Sequence, residues 1–229
     1  GDEAFPRTPP KIFDTSLGWR FQNPRMEKRF PLLSMGETAE NVAEKYGFSR
    51  ADQDAFAMRS QQKAASARSA GRFADEIVAV EVVQKKGDPK LVDQDEFPRP
   101  DTTLETLAKL RPAFRADGQG SVTAGNSSGL NDGAAVLLVA SDAGVKRFGL
   151  TPMARIVSIA VAGVEPRLMG MGPVPASQLA LKRAGLSLQD IDVIELNEAF
   201  AAQVVACLRE LGLKDDDERV NRNGGAIAL

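Results

Sequence analysis

The sequence predicts an α/β protein joined to an irregular α+β region, and three observations lead there. From about residue 120 onward, buried-looking strand runs alternate with capped helical runs, the grammar of an α/β layer. Before that point the chain is charged and irregular, interrupted by two helices that open on capping-box signals. Its 229 residues are ample for a sizeable hydrophobic core.

The elements follow in order. Residues 1 to about 33 are rich in Pro, Arg and Phe without a sustained period, which predicts an irregular lid or loop. Ser34 with Glu37 three residues on predicts a helix start; Met35, Ala39, Val42, Ala43 and Tyr46 carry it, and Gly47 closes it. Ser49 and Asp52 repeat the start signal for a long helix to Gly71. A strand over 77–83, a turn at Gly87-Asp88-Pro89 and a short helix over 103–110 come next. The α/β part begins with a strand over 134–140 and a helix over 141–148 ended by Gly149. A strand over 155–161 precedes a helix from Pro175 to Ala184, with Gly185 after it. DVIEL (192–196) is a strand, 197–211 a helix ended by Gly212, and GGAIAL (224–229) the start of a further strand.

Composition narrows the function classes. With 29 basic and 31 acidic side chains interspersed, a net charge of −2 provides no field for nucleic acid or an anionic membrane. One cysteine, Cys207, forbids an internal disulfide and suits a reducing, cytoplasmic setting. The lack of histidine removes Ser-His and Cys-His pairs and imidazole metal sites from this stretch. The apolar run GAAVLLVA (133–140) is far short of the roughly 18 residues a transmembrane helix needs. GDEAFPRTPPK opens without a methionine and VNRNGGAIAL stops inside an apolar run, so both ends read as interior to a longer chain.

Four segments can carry chemistry. SVTAGNSSGLNDGAA (121–135) crowds small residues ahead of a strand: either a tight turn, or a backbone that lets a ligand pass close. IELNEAFAAQ (194–203) runs from strand to helix, where Asn197 is either an ordinary N-cap or an amide able to orient a water or a carbonyl oxygen. Glu198 then falls in the first helical turn, where the dipole favours a carboxylate. MGMGPVPA (169–176) is a turn whose methionines can line a pocket for a flexible acyl chain. NRNGGAIAL (221–229) allows close approach through Gly-Gly and names no chemistry. Cys207, among Val204, Val205, Leu208 and Leu211, reads as an inert core residue. No G-x-G-x-x-G follows the first strand, which argues against a dinucleotide binder.

In this order and at these separations, the segments resemble the thiolase family of acetyl-CoA acyltransferases. MGETAENVA, SVTAGNSSGLNDGAA, MGMGPVPA, ELNEAFAAQ and VNRNGGAIAL all match family motifs, from about Leu17 to Leu229. LGWRFQNP, RPDTTLETLAKLRP and RELGLKDDDERVNRNGGAIAL are most similar to the 3-oxoadipyl-CoA thiolases of aromatic-acid catabolism, while acetoacetyl-CoA and fatty-acid thiolases share most of this texture. Arg222 departs from the family, which commonly has proline or another small residue there.

The resemblance implies a layered αβαβα fold, incomplete here, with an α+β loop domain over 1–128 that covers coenzyme A. It implies a segment returning to the N-terminal domain over 129–150 and the first part of the C-terminal domain over 151–229. It also implies that the nucleophilic cysteine, its activating histidine and a second acid–base cysteine lie outside these residues. Asn197 would hold the water of an oxyanion hole with Glu198 in support, and Ala199 and Phe200 would border the pantetheine and acyl end. Ser128 would bond the pantetheine, with Ala124, Ser127 and Leu130 close by. Arg99 and Thr106 would face the nucleotide, and Met169 the acyl pocket. The implied activity is thiolytic cleavage of a 3-oxoacyl-CoA by a homodimer or homotetramer, with coenzyme A as substrate and no metal or redox cofactor. A non-catalytic acyl-CoA-binding protein of the same family is the alternative.

Overall fold

Two serine capping boxes set the first half of the molecule. The computed structural model describes Ile12, residues 18–115 and residues 117–229; about half of the lid expected over 1–33 lies outside them. A short helix, α1 (Pro24–Glu27), precedes α2 (Met35–Tyr46) and α3 (Arg50–Ser69). Ser34 accepts from the Glu37 N–H while Glu37 accepts from the Ser34 N–H, and Ser49 and Asp52 do the same one helix later. Gly47 ends α2 in the left-handed region at φ 69°, which lets the chain reverse directly into α3.

The centre of the core is α7 (Ala201–Glu210). Every residue from Ala201 to Leu208 is buried, because α2 and α3 both pack on it together with the 3-10 turn Pro166–Met171. Its alanines at 201, 202 and 206 keep the helix narrow enough for neighbours on several sides, while Val204, Val205 and Leu208 fill the space toward Phe56, Leu107, Val220 and Ile227. Three further α-helices are α4 (Leu104–Ala108), α5 (Asp142–Phe148) and α6 (Pro173–Ala184).

The expected strands fared unequally. That expected over 77–83 is β1 (Val80–Val82), paired antiparallel with β2 (Lys90–Val92) across the turn at Gly87. DVIEL contributes a single parallel bridge, Ile194 with Val220. GGAIAL is a turn rather than a strand, since the N–H groups of Ala228 and Leu229 both donate to the Gly225 carbonyl. The runs 134–140 and 155–161 are not assigned as strands, and Val136, Leu137, Ile159 and Val161 are at least three-quarters exposed. A strand exists only through ladder hydrogen bonds to a neighbour, and no neighbour pairs with either run among the described residues.

These exposed runs have a measurable consequence. Contiguous apolar surface of this kind drives association in water. The isolated chain is expected to show concentration-dependent oligomers by light scattering, reduced by Leu137→Lys and Val139→Lys together. A monodisperse monomer across the micromolar range would contradict this.

Candidate functional site

The site is built where three segments meet: the loop 121–129, the strand end 194–200 and the turn before α6. The loop is held from below by Glu40 of α2, a buried carboxylate. It accepts from the Ser121 N–H (2.9 Å), the Val122 N–H (2.9 Å) and the Ser121 hydroxyl (2.9 Å). Asn126 is likewise buried: its amide nitrogen donates to Asp54 (2.9 Å) and its carbonyl accepts from the Thr123 N–H (2.8 Å). So fixed, the loop docks on the strand end, with the Ser128 N–H donating to the Ala199 carbonyl and the Ala201 N–H to the Asn126 carbonyl. Gly125 and Gly129 sit at real close approaches. A Cβ at Gly125 would meet Leu107 at 2.6 Å, and one at Gly129 would meet the Phe97 ring at 2.7 Å.

This docking corrects the reading of Asn197 and Glu198 as helix-start residues. The helix begins at Ala201 with Phe200 as its N-cap, so neither residue caps it or lies in its first turn. The backbones of Ala199 and Ala201 are bonded to the loop instead, and Phe200 between them is extended. Along the extended segment, side chains alternate in direction. Asn197 is therefore exposed, and its amide makes no hydrogen bond among the described residues. Glu198 is completely buried. Its carboxylate accepts from the Ser60 hydroxyl (2.6 Å), the Asn221 amide (2.8 Å) and the Ile227 N–H (3.1 Å). Gly225 gives it room, since a Cβ there would stand 2.6 Å from one carboxylate oxygen.

Asn197, Ala199, Phe200 and Met169 line one groove of roughly 210 Å³, completed by Met35, Thr38 and Gln203 among others. Phe200 is braced edge-on by Phe114 at 5.9 Å. The side-chain oxygen of Gln203, a residue that lines the groove, is buried without a donor among the described residues. Of the two methionines expected to line a pocket, Met169 does so and Met171 is in the core. The groove thus offers apolar walls, a free amide donor and acceptor at Asn197, and a small-residue loop beside it.

The other expected residues fall outside this groove. Ser127 is buried, its hydroxyl spent on the Thr123 carbonyl (2.6 Å), while Ser128 is half-buried beside Ala199. Ala124 and Leu130 are exposed on the loop. Thr106 closes the capping box of α4 with Thr103. Arg99 is exposed, its guanidinium folded back on the carbonyls of Glu96 and Phe97. Arg222, the departure from the family pattern, is accommodated because its guanidinium reaches out to the Asp192 carbonyl (2.6 Å). Glu40, Ser60, Asn126 and Asn221 escaped sequence reasoning. Only Glu40 left a local trace, lying on the helix face of Gly36 and Ala43, both buried.

Cys207 is a core residue. It is fully buried, close to the Gly170 carbonyl (3.3 Å), and burial pushes its thiol up to about 11. Below that pH it is overwhelmingly the unreactive thiol. Iodoacetamide at pH 8 is therefore expected to label folded protein at least about a hundredfold more slowly than protein in urea, with the rate climbing toward pH 11. Equal rates in both states would refute the assignment.

Comparison with known proteins decides the family. The model of the thiolase N-terminal domain matches residues 23–143, and that of the thiolase C-terminal domain matches residues 150–229. The chain belongs to the thiolase family. It is 58% identical over 228 residues to a beta-ketoadipyl-CoA thiolase of Pseudomonas aeruginosa, covering all of this chain and 56% of that one. It is 60% identical over 219 residues to the 3-oxoadipyl-CoA/3-oxo-5,6-dehydrosuberyl-CoA thiolase of Escherichia coli, covering 96% of this chain and 54% of that one. Among solved structures, the acetyl-CoA acetyltransferase of Bacillus anthracis superposes with a TM-score of 0.78 at 48% identity, over 87% of this chain and 49% of that one. Human mitochondrial 3-ketoacyl-CoA thiolase in complex with CoA superposes at 0.77 and 49% identity, over 86% and 48%. The fold is accordingly the layered α/β thiolase fold, and this thiolase chain spans about half the length of the curated relatives it matches. Among the described residues no helix is long and apolar enough to cross a membrane.

Proposed function

We propose that the full-length protein containing this chain is an acyltransferase that cleaves 3-oxoadipyl-CoA with coenzyme A, and that these residues form one side of its site. The observation that carries the reading is the free amide of Asn197, held at the mouth of an apolar groove beside the small-residue loop. Support for the substrate comes from the 58–60% identity to thiolases named for beta-ketoadipyl-CoA and 3-oxoadipyl-CoA.

In this reading a cysteine thiolate outside these residues attacks the keto carbon of the substrate. The bond between that carbon and the acetyl-CoA carbon breaks, and its electron pair forms the enolate of acetyl-CoA, which is then protonated. Asn197, through a water, stabilises the negative oxygen of that enolate, and the Glu198 network keeps the segment in place. The free coenzyme A thiol then takes the acyl group and releases the cysteine. Ala199, Phe200 and Met169 border the acyl and pantetheine end. Ser127, Ser128, Ala124 and Leu130 flank the pantetheine arm, with Arg99 and Thr106 toward the nucleotide.

The proposal divides the chain into a coenzyme A-covering loop domain over 1–128, a returning segment over 129–150 and the start of the C-terminal domain over 151–229. The change of family model between 143 and 150 supports the last boundary. It further takes the protein to be a cytoplasmic homodimer or homotetramer that needs no metal or redox cofactor. The test is coenzyme A-dependent loss of 3-oxoadipyl-CoA with the purified full-length protein, with acetoacetyl-CoA as comparison. Turnover of 3-oxoadipyl-CoA at higher kcat/KM is expected. Binding of coenzyme A without turnover of either compound would overturn the enzyme reading in favour of a binding protein.

A further inference from the structure

The turn that follows Val220 carries a residue that no motif assigns to the chemistry. Asn221 is buried, and it occupies φ +45°, a region that non-glycine residues seldom adopt and that asparagine tolerates better than most. Its carbonyl accepts from the Gly224 N–H (3.0 Å) within its own turn, while its N–H and its side chain are directed at one short stretch of chain. Its N–H donates to the Ile194 carbonyl (2.9 Å). Its side-chain oxygen accepts from the Leu196 N–H (2.8 Å), and its amide nitrogen donates to the Leu196 carbonyl (2.9 Å) and to Glu198 (2.8 Å). The residue therefore grips positions 194, 196 and 198 and leaves 197 untouched.

Alternation along an extended segment makes this grip directional. With 196 held through its backbone and 198 through its carboxylate, the side chain between them is turned away from the core and into the groove. Glu198 is itself fixed from the other side by Ser60 of α3, so the segment cannot rotate without breaking buried hydrogen bonds. The unusual φ of Asn221 persists because four hydrogen bonds determine it, which is the pattern expected of a residue held for a purpose.

We propose that Asn221 is a positioning residue for Asn197: it orients the groove-facing amide by clamping the residues on either side, without touching substrate itself. The inference rests on the function proposed above, and its test separates the two. Asn221→Gly is the informative variant, because glycine accepts the positive φ and keeps the N–H bond to Ile194 while removing the side-chain bonds to Leu196 and Glu198. In the full-length protein it is expected to lower kcat by roughly tenfold to a hundredfold, the scale of an ångström-level misplacement. KM for coenzyme A should stay within about twofold of the parent. In an Asn197→Ala background the same substitution should cost less than about twofold in kcat, since the clamp acts only through Asn197.

A kcat within twofold of the parent for Asn221→Gly would overturn the proposal. So would an undiminished loss in the Asn197→Ala background, which would mark a general structural role. If the parent protein shows no thiolase turnover at all, the proposed function fails first. The crystal structure of Asn221→Gly then still decides the geometry: a displaced Asn197 side chain supports the clamp, and an unmoved one refutes it.

Discussion

Asn197→Ala in the full-length protein is expected to lower kcat by about 10²–10³ while leaving KM for coenzyme A nearly unchanged. The amide is exposed in the groove and makes no hydrogen bond among the described residues, so its removal leaves no buried partner unsatisfied. A stability effect is accordingly small. What disappears is a donor aimed, through water, at an oxygen that becomes negative only as the carbon–carbon bond breaks. Such an interaction is stronger in the transition state than in the ground state, which is why the loss falls on kcat. Steady-state kinetics with 3-oxoadipyl-CoA provide the measurement. An unchanged kcat would remove Asn197 from the mechanism, and a rise in KM alone would make it a binding residue.

Glu40→Ala is expected to be the most destabilising single change at the site, by about 3–5 kcal/mol. Truncation leaves the N–H groups of Ser121 and Val122 and the Ser121 hydroxyl without their acceptor, and Val122 is completely buried. Each unsatisfied buried donor costs about 1–3 kcal/mol, so two or three of them account for the figure. Against a typical folding free energy of about 5–15 kcal/mol the loss is large. Glu40→Gln retains one acceptor oxygen and should cost less than half as much. Urea unfolding at low protein concentration, with the slope checked for constancy, measures both. A change under about 1 kcal/mol for the alanine variant would mean that water replaces the carboxylate. The loop carrying Ser127 and Ser128 would then owe its position to the Asn126–Asp54 bond and to its backbone bonds with Ala199 and Ala201.

The two variants act on different levels of the same site. Asn197 is a terminal group, replaceable without structural consequence, whereas Glu40 supports the loop against which the 199–201 backbone is docked. Cys207 and Asn221 extend the contrast. Both are buried, yet one thiol is inert by desolvation and one amide is committed to holding its neighbours.

Several features were legible in the sequence because their causes are local. The capping boxes at Ser34 and Ser49 involve residues three apart, and the glycines at 47, 149 and 185 end helices through their own backbone freedom. The recurrence of five motifs made the family plain, and Asn197 stood out within one of them. Local signals also misled in identifiable places. Asn197 looked like a helix cap because an asparagine before an alanine-rich run usually is one. Hydrogen bonds to the loop, about 70 positions earlier, engage Ala199 and Ala201 with Phe200 extended between them, and the helix starts only at Ala201.

The amino-acid order by itself determined where α2 and α3 begin, where α2, α5 and α6 end, and that the only cysteine is a core residue. Tertiary structure decided the rest. It turned Glu198 from a helix-dipole partner into a buried anchor, and it gave Asn221 and Glu40 their roles through partners 23 and 81 or 82 residues away. It also left 134–140 and 155–161 unpaired among the described residues. The physical reason is common to all of these. A cap is satisfied within one turn of its own helix, whereas a buried carboxylate or a β-strand is completed only by groups that folding brings from elsewhere.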